Sequence, residues 1–316
     1  MSKQIKTQGF SVGIDENGLG PLLGPLLVTA ITAQGPTNER VPSIRHVGDS
    51  KLLVGFGHSA LGEAWARALL EQQGTVPHSP AELVDLLLGE SGTASRGLCP
   101  GGHAPQCWRD EQPWDASDAL VEQVGQSMHE LERAGWRLTR ARSEHVCTRE
   151  LNTEEAAGRS RLHMNLGRME RLIVDARAHA PGPLNVTCGK VGGMRYYVPQ
   201  LRHLHAILTH SEEAAASRYE LSDGTKLEFL RDAESQRPLV ALTSLIGKYL
   251  RDRIMRRICA FHGATSASDA VSGYHDPRTL RFVQSTRDAR TARSIQDSCF
   301  LRFGKKGAAI AIERLL

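Results

Sequence analysis

The sequence predicts an α/β protein, and three stretches predict it. Near the start, a short apolar run (Phe10, Val12, Ile14) meets two adjacent carboxylates, Asp15 and Glu16, then a turn punctuated by glycine and proline, then a second apolar run through Ile31. That order reads as strand, acidic turn, strand. In the middle, Leu162, Leu166, Met169, Leu172, Ile173 and Ala176 recur at helical spacing until Pro181-Gly182-Pro183, and Leu184 to Cys188 then has the composition of a buried strand. Later, Leu239, Leu242, Leu245, Ile246, Tyr249, Leu250, Ile254 and Ile258 mark one face of a helix from about Pro238 to Phe261.

In the leading strand, side chains alternate, so Asp15 and Glu16 point to opposite faces unless the strand ends between them. One would then face a ligand directly while the other reaches it from the loop. Gly18 and Gly20 lack side chains and let the backbone approach a bulky ligand such as a phosphodiester chain. The plainer alternative is a tight hairpin with a solvated acidic tip.

Ile44 to Val47 reads as a third short strand leading into Asp49-Ser50-Lys51. Residues 58–73 and 81–88 have helical spacing. From Gly89 to Trp114 the pattern dissolves into Gly, Pro, Ser and Cys, the composition of an insertion or long loop. It holds Cys99, His103 and Cys107, with Cys147 as a conceivable fourth zinc ligand, but structural zinc sites show tighter paired spacing, and incidental cysteines are the simpler reading. Residues 115–134 read as helix and Trp136 to Arg142 as strand. One long helix is expected from about Asn152 to His179. The stretch from Arg195 to His210 fits either strand or helix. Ser217 to Leu221 and Lys226 to Leu230, joined through Asp223-Gly224, make a hairpin. Helical spacing resumes at Leu280, Phe282 and Val283, with Arg278, Arg281, Arg287, Arg290 and Arg293 facing outward.

At 316 residues the chain can bury a substantial core, and its 23% charged content is ordinary for a globular protein. The start lacks an apolar signal core, and the longest apolar run is too short and glycine-broken to span a bilayer, so a cytoplasmic chain away from membranes is expected. Six scattered cysteines are expected to be reduced thiols. From Gln236 onward there are 15 Lys/Arg against 6 Asp/Glu, while the rest of the chain is net acidic. A basic C-terminal quarter beside an acidic pocket suits a polyanionic partner, although basic helix faces are usually just solvated.

The stretch from Gly13 to Val28 resembles the type 2 ribonuclease H (RNase HII/HIII-like) family, whose first strand carries Asp-Glu-Ala-Gly-Arg-Gly-Pro-Leu-Ala-Gly-Pro. A second family block, Asp-Ser-Lys-Lys/Gln-Leu, is matched by Asp49-Ser50-Lys51-Leu52. A third, Ala-Ala-Ser-Ile-x-Ala-Lys-Val-x-Arg-Asp-Arg-x-Met, is similar to Ala241 to Met255. Ser272-Gly273-Tyr274 resembles the family's Lys-Gly-Tyr. The resemblance covers roughly residues 10–56 and 160–285.

That resemblance implies a ribonuclease H-like fold: a central mixed β-sheet flanked by helices, here with an insertion at about 89–115 in a domain of residues 8–290, and a C-terminal extension, 291–316. It implies endonucleolytic cleavage of the RNA strand of RNA/DNA hybrids by two Mg²⁺ or Mn²⁺ ions about 4 Å apart, which generate hydroxide and stabilise the leaving oxygen. Asp15, Glu16 and Asp252 are the implied metal-binding and catalytic acids. For Asp252 the bland alternative is a helix-surface pair with Arg256. Gly18, Gly20, Ser50, Lys51, Lys190 and Tyr274 are the implied substrate contacts, and the protein is expected to act as a monomer.

Two departures stand out. Helix, proline break, strand and turn deliver the family's third acid at the strand's end, and that position is Gly189. Asp175 imitates the missing acid only superficially, since it belongs to the preceding helix. Three carboxylates leave two divalent ions undercharged, and Lys190 beside the gap repels cations further. Asp49, Asp175, Glu213 and Asp232 are conceivable substitutes. The Arg of the family's Gly-Arg-Gly turn is replaced by Leu19, which cannot donate to a 2′-hydroxyl or phosphate. A protein that binds hybrid without cutting it is therefore the alternative.

Overall fold

In the computed structural model, the structure describes residues 8–37, 39–47, 56, 58–100, 106–109, 112–204, 207–264 and 269–303. The centre is a seven-stranded mixed sheet in the order β3-β2-β1-β4-β7-β6-β5. Its strands are β1 (Gln8–Asn17), β2 (Leu26–Pro36), β3 (Arg137–Val146), β4 (Leu184–Gly189), β5 (Ile207–Glu212), β6 (Ala216–Leu221) and β7 (Lys226–Leu230). β1 pairs antiparallel with β2 and parallel with β4, and β4 is parallel to β7. β2 is buried almost throughout because helices cover both of its faces, hence its unbroken apolar run.

The helices are α1 (Ala60–Gln72), α2 (Pro80–Gly97), α3 (Asp118–Arg133), α4 (Thr148–Ala156), α5 (Arg161–His179), α6 (Ala233–Gln236), α7 (Pro238–Phe261), α8 (Pro277–Ser285), α9 (Arg287–Ala292) and α10 (Asp297–Phe300). α7 lies across β1 and β2 with α1 packed against it around Trp65, Leu69, Leu242, Ile246 and Tyr249, while α2 packs on β3 and α3 on α1 and β3. α5 covers the other side through Leu166, Met169, Leu172 and Ile173, against Val12, Ile14, Val186 and Phe229. The approach of α7 is close because Gly13 has no side chain: a Cβ there would stand 2.6 Å from the Leu239 carbonyl carbon. Thr243 Oγ1 donates to the Gly13 carbonyl at 3.1 Å, tying helix to strand.

The chemistry of single residues corrects several expectations. Residues 45–47 form a turn instead of a third strand, with His46 at φ 60°. α2 continues to Gly97 through a kink at Gly89 (φ 50°), so the insertion's first half is helical. The long helix from Asn152 is two helices, α4 and α5, separated by a turn containing Gly158 at φ 83°. Residues 195–210 are a short 3₁₀ turn (Val198–Gln200) followed by β5. Arg290 is buried, its Nη1 donating to the Val283 carbonyl at 2.8 Å, while Arg278, Arg281, Arg287 and Arg293 are exposed. All six cysteines are unpaired, and His103 lies outside the described residues. No helix among the described residues is long and apolar enough to cross a membrane.

Candidate functional site

The acid pair sits where three strands end together. Parallel pairing of β1 with β4 sets Ile14 opposite Cys188, so Asp15 and Glu16 meet Gly189. A Cβ at Gly189 would stand 2.4 Å from Asp15 Oδ1 and 3.8 Å from Glu16 Oε2. β4 in turn pairs Gly189 with Leu230 at the end of β7, which brings the next residues, Arg231 to Glu234, to the same place. The result is a cavity of about 380 Å³ lined by Asp15, Glu16, Gly189, Lys190, Asp232 and Glu234 among others. Since β1 runs on to Asn17, both acids belong to the strand, and the expectation that one reaches the site from the loop is corrected; both nevertheless line this cavity.

Burial dominates the electrostatics. It raises the Asp15 pKa to about 7, against a hydrogen bond with Ser244 of α7, with Glu234 adding to the rise. Glu16 is raised to about 8 by burial first and by the Asp15 charge second, while the Asn165 amide beside it pulls the value down. Two acids that resist ionising alone are a site that gains from a cation.

Asp232 opens α6 in a left-handed conformation, φ 50° and ψ 41°, which is uncommon away from glycine. Sequence reasoning named Asp232 only in passing and missed Glu234. The available signal was positional: two acids directly after a strand parallel to β4, at the carboxyl edge where open α/β sheets place their sites.

The other expected residues distribute differently. Asp252 is buried on α7 and accepts from Lys248 Nζ at 2.6 Å. It does not line the cavity, because it lies about two turns along α7 from Ser244, the residue that meets Asp15. Arg256, its alternative partner, engages Asp115 instead. Asp175 holds Arg140 through two contacts of 2.9 Å and is the helix residue its pattern indicated. Lys190 lines the cavity, but its Nζ donates to the carbonyls of Glu213 (2.7 Å) and Ala214 (3.1 Å). Gly18 has φ 88°, and a Cβ there would strike Arg251 Nε at 2.4 Å; Gly20 is open to solvent. Tyr274 is exposed, with the Arg251 guanidinium 5.0 Å from its ring. Asp49, Ser50 and Lys51 lie outside the described residues.

Fold and site together define an α/β protein with a mixed, helix-flanked sheet and half-buried acids at its carboxyl edge. Among solved structures, the chain is similar to the RNase HII in a PCNA complex from Archaeoglobus fulgidus, at 17% identity over 92% of this chain and 93% of that one, TM-score 0.41. It is similar to Bst-RNase HIII in complex with Mn²⁺, at 15% identity over 96% and 70% of the two chains, TM-score 0.49. Ribonuclease H2 from Pyrococcus horikoshii OT3 aligns at 14% identity over 97% and 98%, TM-score 0.41. No protein-family model and no curated protein matches the chain.

Proposed function

We propose that the chain is a divalent-metal-dependent endoribonuclease that cleaves the RNA strand of RNA/DNA hybrids. The observation that carries this is the Asp15–Glu16 pair, held on a cavity wall at the carboxyl edge of the sheet with both pKa values raised. Carboxylate oxygens are the donors that Mg²⁺ and Mn²⁺ prefer. Among the described residues no three Cys, His, Asp or Glu side chains stand close enough to cage an ion, so the fit is to one ion that keeps much of its water shell. Asp15 and Glu16 would hold it, with Asp232 and Glu234 on the same wall. When bound, it would supply an activated water and charge stabilisation for the leaving oxygen. Ser244 of α7 and Asn165 of α5 stand beside the two acids from opposite faces of the sheet and favour their charged forms. Asp252, engaged by Lys248, has no ligand role in this reading.

Gly189 favours a second reading, a protein that binds hybrid without cutting it, because the third acid position is empty of charge. Incubation of a labelled RNA/DNA hybrid with Mg²⁺ or Mn²⁺, comparing wild type with Asp15→Asn, separates the two. Cleavage by wild type alone supports the nuclease. Salt-sensitive binding with no cleavage by either protein leaves the binding reading.

A further inference from the structure

The stretch Leu301 to Phe303 returns from α10 to strap down the turn that follows the acid pair. Leu301 bridges Leu23, and the Arg302 N–H donates to the Leu22 carbonyl at 2.9 Å. Asn152 of α4 fixes the crossing on both sides: its Nδ2 donates to the Leu301 carbonyl at 2.7 Å, and its Oδ1 accepts from the Phe303 N–H at 2.8 Å. From this strap the Arg302 side chain runs beneath the turn. Nη1 donates to the Gly18 carbonyl at 2.6 Å and Nε to the Gly24 carbonyl at 2.7 Å, so one guanidinium holds both ends.

Arg251 enters the same space from α7, its Nη2 donating to the carbonyls of Ser272 (2.9 Å) and Leu23 (3.3 Å). Arg302 is 2% exposed and Arg251 4%, and among the described residues neither forms an ion pair with a carboxylate. Arg302 Nη2 and Arg251 Nε have no hydrogen-bond partner. Carbonyls can be held by neutral donors. Two neighbouring buried cations without an ion-paired carboxylate are costly: burial first, and the Arg251 charge second, push the Arg302 guanidinium well below its ordinary value, and an anion over the turn would relieve this. With the Gly18 carbonyl turned in to Arg302, peptide planarity turns the Leu19 N–H away from the guanidinium, and Gly20 beyond it is exposed.

We propose that Arg302 is a positioning residue for nucleic-acid binding: it fixes the Gly18–Gly24 turn so that its outer side meets a backbone phosphate, and with Arg251 it supplies the positive charge beneath. The identity of the anion rests on the nuclease reading; the strap itself does not.

The test uses the full chain in EDTA, so that binding is read without cleavage, by fluorescence anisotropy with a labelled RNA/DNA hybrid across a salt series. Hydrogen exchange over residues 14–27 is followed in parallel. Arg302→Gln is expected to weaken binding about tenfold and flatten the salt dependence, and Arg302→Lys to recover part of the loss. Arg251→Gln is expected to reproduce the loss should Arg302→Gln fail to fold. Faster exchange in the turn of Arg302→Gln with unchanged affinity and salt slope overturns the proposal alone. Wild type that binds no hybrid overturns it together with the nuclease reading.

Discussion

Gly189→Asp puts the most weight on the site geometry. The new Cβ would lie 2.4 Å from Asp15 Oδ1, so the Asp15 carboxylate must swing aside, and a third carboxyl then faces Asp15 and Glu16. At a spacing of about 4 Å and an effective dielectric near 20, one like-charge pair costs roughly 4 kcal/mol, and partial solvent access brings this nearer 2 kcal/mol. Without metal at about pH 9, where all three ionise, the variant should lose about 2–4 kcal/mol, a fall in Tm on the order of 4–10 °C. With Mn²⁺ the sign reverses: the added carboxylate should tighten the ion at least about tenfold, roughly 1.4 kcal/mol. Thermal unfolding in EDTA and a Mn²⁺ titration measure the two arms. Gly189→Ala is the control, carrying the Cβ without the charge. If the Asp and Ala variants behave alike in both arms, residue 189 does not face the acid pair and the placement of the site is wrong.

The metal-free protein should lose stability as pH rises. Asp15 and Glu16 have folded pKa values of about 7 and 8 against unfolded values near 3.8 and 4.5, so the folded state binds the extra protons. Their contribution is complete below about pH 4 and is lost as pH rises through about 8; saturating Mn²⁺ should flatten that slope, as a pH series of unfolding midpoints would record. Asp15→Asn and Glu16→Gln should each stabilise the metal-free protein at about pH 8 while abolishing cleavage, and a variant that lost stability there would contradict the burial argument. Asp252→Asn should cost about 1 kcal/mol through the lost Lys248 pair and leave Mn²⁺ affinity unchanged. Reduced affinity would return Asp252 to the metal site. Arg253→Met strands Glu63, which is fully buried and accepts the Asp115 and Ala116 N–H groups. It should cost about 3–5 kcal/mol in urea unfolding.

Periodicity made the helices at 60–72, 118–133 and 238–261 and the hairpin of β6 and β7 legible, because in each a buried face imposes its repeat on the sequence. The acid pair was legible for a different reason: adjacent charges ending an apolar strand have few structural uses. Gly189 was found from the order of elements, and the β1–β4 register sets it beside Asp15. Tertiary pairing, by contrast, is invisible in one dimension. Asp232 and Glu234 reach the cavity only because β7 lies parallel to β4, a neighbour 41 residues away in register. Asp252 matched a motif, but the helix geometry gives it to Lys248. The α4–α5 break at Gly158 was missed because the helix was extended back from the apolar face of 162–176 through the polar stretch 152–161, where Gly158 and the α5 N-cap Ser160 were the available signals.

The glycine contacts of α7 carry one more consequence. At Gly13 a Cβ would press on the Leu239 backbone, and at Gly247 it would come within 2.0 Å of Asn17 Oδ1. Between those two points the helix hands Ser244 to Asp15. The depth at which the acid sits is thus gauged by two missing methyl groups, and alanine at either point would lever the rod outward and slacken the grip on Asp15 without touching any charged group.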